Sequence, residues 1–287
     1  MHLFLWSRLP RVTVSWCALV RRFHMTTTPA VAGHSTNLES GGKRFWEVTR
    51  EPGQQKAELP IWTASADAVS VSPPKSPPWR EDIRDGIFVL HGVLSKEECE
   101  GIIDVSSEMG YTEDAPVSLG RNVRHNDNCV WIVDPFLNDE IFKRCKDLLP
   151  GELSVGSGMR LSLFGLNRRW RLYRYSKDDI FRWHTDGGWT GSGLRGGAPV
   201  SDVFDGRCFS WLTFLIYLND GFNGGGTRFR IANSEFSVTP RQGSVLCFFH
   251  GYHPLSPLHE GEMVEEGRKF VARTDVLYEH PPGTMIM

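Results

Sequence analysis

Two short stretches of the sequence place a histidine two residues before an aspartate: His184–Asp186 and His125–Asp127. On a strand, residues i and i+2 share a face, so an imidazole and a carboxylate at this spacing can bind one metal ion. A second histidine from a distant strand completes a 2-His-1-carboxylate triad, which holds Fe(II) and leaves positions open for other ligands. The pair at 125–127 is surrounded by asparagines, which is typical of a polar loop, so we favour the pair at 184–186.

The second histidine of the triad has four candidates downstream: His250, His253, His259 and His280. An oxidation at such a triad usually needs a cation deep in the site to hold the far carboxylate of a dicarboxylate cosubstrate. Lys269 stands ten residues after His259, and the other candidates have no matching cation. The sequence therefore favours His259 as the ligand and Lys269 as the cation.

Two helices are predicted ahead of these residues. Ser95 and Glu98 have the S-x-x-E spacing of a capping box, and apolar residues follow at helical spacing until Gly110. A second helix is predicted from about Asn138 to Leu149. Neither helix carries obvious chemistry, and we expect both to buttress a sheet.

Strands are predicted over most of the rest of the chain, because apolar residues there alternate or form short runs between turns. Arg171, Tyr173 and Tyr175 share one face of such a strand. Helices followed by many short strands indicate an α+β fold with an antiparallel sandwich or barrel. The predicted strands are Ile87–Leu90, Trp170–Tyr175, Cys208–Leu218, Thr227–Ile231, Ser244–Phe249 and Lys269–Tyr278.

The composition excludes several classes of protein. The 287 residues carry a formal net charge of -2, which argues against nucleic acid as a partner. No apolar run reaches the roughly 18 residues that a membrane-spanning helix needs. The six cysteines form no C-x-x-C pair, and we expect buried free thiols. Nothing in the sequence predicts the oligomeric state.

The N-terminal residues differ from the rest of the chain. Residues 1–38 contain four arginines and no acid, so residues 1–25 are a candidate targeting segment. Mitochondrial import, a cytoplasmic protein translated from Met25 and, less favoured, secretion are the alternatives. Residues 26–80 are rich in proline and are predicted to be a partly disordered tether, with an ordered strand that packs on the domain as the alternative around Arg44–Val48. Residues 81–287 form the predicted functional domain, with its barrel core at about 165–280.

At this point the chain resembles the prolyl 4-hydroxylase-like branch of the 2-oxoglutarate, Fe(II)-dependent dioxygenases. The resemblance extends over roughly residues 85–280, and residues 93–99 resemble that family's leading helix. The matching stretches follow in the family's order: 171–175 with 181–186, 212–219, 224–229, 240–244, and 259–261 with 267–270.

The resemblance implies a double-stranded β-helix (jelly-roll or cupin-like) barrel with His184, Asp186 and His259 as iron ligands and no catalytic residue beyond them. It implies that Lys269 forms a salt bridge with the C5 carboxylate of 2-oxoglutarate, with Arg268 and Arg273 as rivals. Two tyrosines match positions near the cosubstrate: Tyr217, which hydrogen-bonds that carboxylate, and Tyr175. L-ascorbate is a further cofactor by resemblance. The implied reaction hydroxylates an unactivated C–H bond and releases succinate and carbon dioxide.

The substrate is less sharply indicated. A peptidyl proline is the family's leading choice, and a non-prolyl substrate of the same fold is the alternative. Trp183, Trp189 and Arg273 are candidate substrate contacts, and residues 187–207 form a glycine-rich segment suited to a substrate lid. Two other classes remain open: a non-catalytic barrel that binds a protein, and a hydrolase that uses the same triad for Zn(II).

Overall fold

The computed structural model describes residues 44–53, 58–114, 123–156 and 158–281. The predicted targeting segment, residues 1–25, lies outside the described residues, and so do residues 26–43 and 54–57 of the predicted tether. In the described part of the chain, no helix is long and apolar enough to cross a membrane.

The described residues form many strands and few helices. Two α-helices occur, α1 (Lys96–Met109) and α2 (Pro135–Cys145), and a 3-10 turn, Lys146–Leu148, follows α2. The strands are β1 Phe45–Pro52, β2 Glu58–Ala64, β3 Trp79–Arg84, β4 Ile87–His91, β5 Arg124–His125, β6 Asp127–Ile132, β7 Glu152–Val155, β8 Met159–Leu166, β9 Arg169–Tyr175, β10 Ile180–His184, β11 Gly193–Arg195, β12 Ala198–Val200, β13 Cys208–Tyr217, β14 Asn223–Gly224, β15 Thr227–Ile231, β16 Ser234–Val238, β17 Val245–Phe249, β18 Leu258–Gly261, β19 Val264–Glu266 and β20 Lys269–Glu279.

Eleven strands belong to one large mixed sheet. Its main order is β1-β2-β6-β9-β20-β13-β17-β4-β3, and β8, which pairs with β7, also joins β20. Neighbouring strands are antiparallel except β2 and β6, which run parallel. The predicted alternation of Arg171, Tyr173 and Tyr175 lies on β9, next to β20 in the middle of this sheet.

A second sheet faces the large one. Its order is β16-β15-β18-β10-β5. An apolar cluster joins the two, with Tyr173 and Val271 from the large sheet and Phe229 and Val238 from the second. The ring of Phe229 lies 5.3 Å from that of Phe248 on β17, in an edge-on arrangement that favours contact between aromatic rings. The space between the sheets is therefore filled, and it is where the functional side chains lie.

The capping box predicted for α1 is present. The N–H of Glu98 donates to the Ser95 hydroxyl at 3.1 Å, and the N–H of Ser95 donates to the Glu98 carboxylate at 2.9 Å. The boundaries predicted for α2 were wrong by about three residues. It begins at Pro135, because the Asp134 carboxylate caps the first turn and proline suits its first position.

Both helices pack on the large sheet. Their buried residues, among them Ile102 and Ile141, belong to the same apolar cluster as Phe214 and Ala272 of the central strands. The five described cysteines are buried and free. The helices therefore cover the face of the large sheet that is turned away from the second sheet.

Part of the segment predicted to be a tether is strand. β1 pairs with β2, and β2 pairs with β6 of the large sheet. Ile61 of β2 is buried against Val130 and Ile132 of β6. Residues 45–52 and 58–64 are therefore strands where a tether was predicted: β2 is held by burial and by pairing with β6, and β1 is held by pairing with β2.

Removing β1 and β2 should destabilise the domain. A chain beginning at residue 65 loses Ile61 and uncovers Val130 and Ile132, which are 4% and 1% exposed in the full sheet. We expect its unfolding temperature to fall by about 10 °C relative to a chain beginning at residue 44. Thermal unfolding of the two chains measures this difference, and equal unfolding temperatures would show that these strands contribute nothing to the domain.

Candidate metal centre and adjoining pockets

His184, Asp186 and His259 converge between the two sheets. His184 ends β10 and is the direct partner of His259 on β18, and Asp186 follows β10 by two residues. One ligand atom from each residue lies within 4.8 Å of the others. The Nε2 atoms of both histidines are 3.7 Å from the Asp186 carboxylate oxygens. Among the described residues, this is the one cluster of at least three such side chains that could hold a metal ion.

The two histidines present their Nε2 atoms to the cluster in the form that binds metal. Nδ1 of His184 lies 2.8 Å from the carbonyl oxygen of Arg182, and Nδ1 of His259 lies 3.2 Å from that of Pro257. A carbonyl accepts only, so Nδ1 is the protonated nitrogen and Nε2 keeps a free lone pair. Burial, followed by the neighbouring imidazole, lowers the pKa of His184 to about 3, and burial also lowers the pKa of His259. Both rings are therefore neutral at pH 7.

The carboxylate of Asp186 is buried and charged. Burial alone would raise its pKa, but Arg273, the two imidazoles and Thr213 hold the pKa far below its usual range. Arg273 donates from Nη1 to one carboxylate oxygen at 2.6 Å, and Thr213 donates to the other at 2.7 Å. Two neutral imidazoles and one carboxylate are a donor set that suits a divalent transition metal.

His250 supports the cluster from behind and is not one of its ligands. Thr213 gives its proton to Asp186, so His250 donates from Nδ1 to the Thr213 oxygen at 3.0 Å. Its Nε2 then accepts from the hydroxyl of Ser210 at 2.9 Å. This chain of hydrogen bonds orients Asp186, as partners of metal ligands do in other sites. The sequence carried no signal for Thr213.

The two remaining downstream histidines lie away from the cluster. His253 stacks on Phe249, with ring centroids 3.6 Å apart. His280 is buried, and its ring lies 6.3 Å from that of Trp211. Neither has a contact with Asp186 among the described residues.

The second His-x-Asp pair does not converge on one point. His125 pairs with Asp179, whereas Asp127 accepts two hydrogen bonds from Arg174. His125 lies on β5, at the edge of the second sheet next to β10. The pair is therefore engaged in separate structural contacts.

An inner cavity extends from the triad to Lys269. It is small, about 50 Å³. Besides the triad it is lined by Tyr173, Tyr175, Phe181, Thr213, Leu215, Thr227, Phe248, Gly261, Lys269, Val271 and Arg273.

Lys269 is a buried cation without a counter-ion in contact. It is 3% exposed, and Nζ donates to the carbonyl oxygen of Gly225 at 2.6 Å. Among the described residues no carboxylate oxygen lies within the 4 Å of a salt bridge. Burial lowers the pKa of Lys269 to about 8, so the ammonium form still predominates at pH 7. Of the rival anchors, Arg268 is exposed and Arg273 lines the cavity.

The two predicted tyrosines occupy different positions. Tyr175 lines the inner cavity, with Lys269 Nζ 5.2 Å from the centre of its ring. Tyr217 is fully buried and its hydroxyl is 2.8 Å from that of Thr227. Thr227 lines the cavity and Tyr217 does not, so Tyr217 holds Thr227 in place.

An outer pocket of about 300 Å³ also borders the triad, at His184 and Asp186. Its wall includes Trp189, but Trp183 lies under the guanidinium of Arg230, at 4.3 Å, outside both cavities. Five residues line both cavities: Tyr173, Phe181, His184, Asp186 and Arg273. The outer pocket is further lined by Arg124, Asn128, Cys129, Val130, Arg171, Thr185, Gly187, Gly188 and Trp189.

The segment predicted to be a lid is folded. Residues 187–189 line the outer pocket, and β11 and β12 form a hairpin immediately after them. The N–H of Ser192 donates to the Asn167 side chain at 3.0 Å, which ties the start of the hairpin to the large sheet. Opening and closing of residues 187–207 stays a prediction.

A larger cavity of about 840 Å³ is a groove outside the triad. Residues 80, 82–86, 230–232 and 254–258 supply its lining. It contains no member of the triad, so its size does not make it the candidate site.

Comparison with known proteins agrees with the resemblance. No family model matches the chain. A curated protein named "Putative prolyl 4-hydroxylase" from Acanthamoeba polyphaga mimivirus is 25% identical over 191 residues, which are 64% of this chain and 71% of that protein. This similarity confirms the resemblance to the prolyl 4-hydroxylase-like proteins that the sequence stretches indicate.

Three solved structures are also similar. The viral collagen prolyl hydroxylase of Paramecium Bursaria Chlorella virus-1, as its 2OG complex, is 18% identical, covers 69% of this chain and 99% of its own, and has a TM-score of 0.46. A Pseudomonas putida prolyl-4-hydroxylase has 15% identity, coverage of 68% and 93%, and a TM-score of 0.42. A Trichoplax adhaerens prolyl hydroxylase, bound to a peptide fragment of hypoxia inducible factor, has 16% identity, coverage of 67% and 83%, and a TM-score of 0.42.

Removing one ligand should abolish tight metal binding. Asp186→Ala deletes the charged member of the triad, so we expect its affinity for Mn(II) or anaerobic Fe(II) to fall on the order of 100-fold or more. Isothermal titration measures it. His125→Ala is the matched control because its His-x-Asp pair does not converge, and it should bind metal like the unmodified protein. A loss of binding in His125→Ala with none in Asp186→Ala would move the site.

Proposed function

We propose that this chain is an Fe(II)- and 2-oxoglutarate-dependent dioxygenase that hydroxylates an unactivated C–H bond, with a peptidyl proline as the leading substrate. The observation that carries the proposal is the inner cavity, which joins the triad to a buried lysine. The similarity to a protein named as a prolyl 4-hydroxylase supports the prolyl substrate.

The residues of the triad fit Fe(II). Nε2 of His184, Nε2 of His259 and the Asp186 carboxylate supply three protein ligands, which leaves other coordination positions open. When bound, the iron couples the oxidative decarboxylation of 2-oxoglutarate by dioxygen to the insertion of one oxygen atom into the substrate C–H bond.

The protein's own residues bind and orient the cosubstrate. Lys269 offers a buried ammonium to the far carboxylate, and Tyr175 and Thr227 offer hydroxyl groups to the same cavity. Tyr217 fixes Thr227 through the hydrogen bond between their hydroxyls. The apolar cluster around the cavity excludes water, which strengthens a charge-assisted hydrogen bond.

The fold is proposed to be a double-stranded β-helix barrel buttressed by α1 and α2. Two facing, mainly antiparallel sheets with a site between them support this assignment. The burial of both helices against the large sheet supports the buttressing role.

Two other functions fit the residues less well. A barrel that only binds a protein has no need of a buried ammonium that lacks a contacting counter-ion, as in Lys269. A zinc hydrolase needs a general base beside the metal. The nearest other imidazole, that of His250, is hydrogen-bonded on both nitrogens and is not available for that role.

Ascorbate and localisation extend the proposal. L-ascorbate is proposed to keep the iron reduced between turnovers, and residues 1–25 are proposed to direct import into mitochondria. Omission of ascorbate should slow sustained turnover. A fluorescent protein fused to residues 1–40 should be found in mitochondria. A turnover rate that does not change without ascorbate would overturn the role of ascorbate. A fusion protein that stays in the cytoplasm would overturn the proposed import.

The proposed reaction predicts coupled products. Purified protein with Fe(II), 2-oxoglutarate and dioxygen should form one succinate for each 2-oxoglutarate consumed, and prolyl peptides should gain hydroxyproline. Asp186→Ala should form neither, because it lacks a ligand. Mass spectrometry measures both products. Turnover with Zn(II) in place of Fe(II), or none with Fe(II), would contradict an oxygenase.

The burial of Lys269 leads to predictions about the affinity for 2-oxoglutarate, both for substitutions at this position and for changes of pH. Lys269→Ala removes the buried cation, so we expect the Michaelis constant for 2-oxoglutarate to rise on the order of 100-fold, with metal binding little changed. Arg268→Ala, the exposed neighbour, should have little effect. Because burial lowers the Lys269 pKa to about 8, the ammonium is present below that pH and lost above it.

In the unmodified protein, the Michaelis constant should therefore rise as the pH increases through about 8. Lys269→Met keeps the side-chain volume without the charge and should lose this pH dependence. A large effect of Arg268→Ala with none of Lys269→Ala would assign the anchor to Arg268, the residue before β20.

A further inference from the structure

The outer pocket contains more positive charge than a site for a neutral prolyl ring requires. The guanidinium groups of Arg124, Arg171 and Arg273 line it. Among its described lining residues the one carboxylate is that of Asp186, which is also the proposed metal ligand. Its volume of about 300 Å³ is at the small end for ligand pockets, which suits a small acid or a single amino-acid residue.

Arg171 and Arg273 face each other across two strands. They are direct partners in the pairing of β9 with β20. Like charges at directly opposed positions destabilise a sheet. Here the Arg171 side chain is also buried and that of Arg273 is largely buried, at 8% and 12% exposure. A nearby anion would offset the repulsion between these two guanidiniums.

Asp275 supplies only part of that compensation. Its carboxylate accepts from Arg171 at 2.8 Å and from Arg273 at 3.3 Å. One negative charge is thus shared between two guanidiniums. Arg273 has a second partner in Asp186, but a metal ion on the triad draws on the same carboxylate.

Hydrogen-bond donors without a partner are a second indication that an anion binds beside Arg171 and Arg273. The Nε atoms of Arg171 and Arg273 are buried and have no hydrogen-bond partner among the described residues. A buried donor without an acceptor costs free energy, and an oxyanion binding beside it would remove that cost. Arg124, at the same pocket, donates to the side-chain oxygens of Asn126 and Asn128, which are neutral. Its charge is therefore not cancelled by these contacts.

We propose that the substrate presents an oxyanion, a carboxylate or a phosphate, to Arg171 and Arg273 in the outer pocket. The proposal rests on the proposed function and names the class of substrate for that site. His184 and Asp186 line the same pocket, so an anion bound there lies beside the triad. A free acid and an acidic residue next to a proline have this chemistry in common.

The cosubstrate does not account for the pocket. Lys269, its proposed anchor, lines the inner cavity, and Arg171 lines only the outer pocket. Trp189 closes the pocket beside Arg171, whose Cζ lies 4.8 Å from the ring. An anion that depends on Arg171 is therefore a ligand other than 2-oxoglutarate.

The test uses pairs of probes that differ in one charge. The full-length protein is loaded with Mn(II) and saturated with 2-oxoglutarate under anaerobic conditions, and binding is measured by isothermal titration. The small pair is N-acetylproline and N-acetylprolinamide. The peptide pairs place glutamate or glutamine, and phosphoserine or serine, on either side of a proline. We expect the acid of at least one pair to bind about tenfold or more tightly than its neutral partner.

Two variants assign that preference to the pocket. Arg171→Gln should bring the acid and neutral probes to nearly equal affinity. Arg174→Gln is the matched control, because Arg174 is on the same strand, faces away from the pocket and pairs with Asp127. It should keep the preference of the unmodified protein.

The outcomes separate the two proposals. A preference in the small pair identifies a free acid, and a preference in a peptide pair identifies an acidic or phosphorylated segment; either supports the oxyanion proposal. Equal affinities throughout, binding of no acid, or a preference that Arg171→Gln leaves unchanged would overturn it. Titration of 2-oxoglutarate into the Mn(II)-loaded protein comes before the probes are added. If 2-oxoglutarate does not bind in that titration, the result would instead contradict the proposed function.

Discussion

The carboxylate of Asp186 lies between two sheets, away from water, and stays charged. A charge in such a place is stable only when other groups compensate it, and here Arg273 and Thr213 do so by donating hydrogen bonds to the two carboxylate oxygens. Each compensating group depends on a strand: Arg273 on β20 and Thr213 on β13. The pairing of β13 with β20 therefore places both compensating groups beside one charge.

The alternation of β20 divides its charges between the two cavities. Lys269, Val271, Arg273 and Asp275 follow at intervals of two and face the second sheet, so a single strand supplies the cation of the inner cavity and part of the outer pocket. A shift of one residue would turn all four away from the site. The antiparallel pairing with β13 over nine partners, from Cys208 to Tyr217, opposes such a shift.

Local patterns in the sequence predicted the centre of the site but not its surroundings. His184 and Asp186 are close in sequence, and the alternation on β9 and β20 is a local signal, so the placement of these side chains was predictable. The position of Trp183 was not predictable, because the pairing of β10 with β18 shifts register between Phe181 and His184. This irregularity turns both of those residues toward the cavities and Trp183 away from them. The pairing of β2 with β6 was missed because it is a contact between segments about 70 residues apart, and the prolines near β2 indicated irregular chain.

Charge links the metal centre to the proposed substrate pocket. A divalent ion at the triad would add two positive charges beside the guanidiniums of Arg171 and Arg273, and it would share the Asp186 carboxylate with Arg273. An oxyanion in the outer pocket then meets a larger positive potential than in the metal-free protein. By thermodynamic linkage, the same anion must favour retention of the metal by an equal free energy. The shared wall of the two cavities, and Arg273 above all, thus makes metal, cosubstrate and substrate parts of one charge balance.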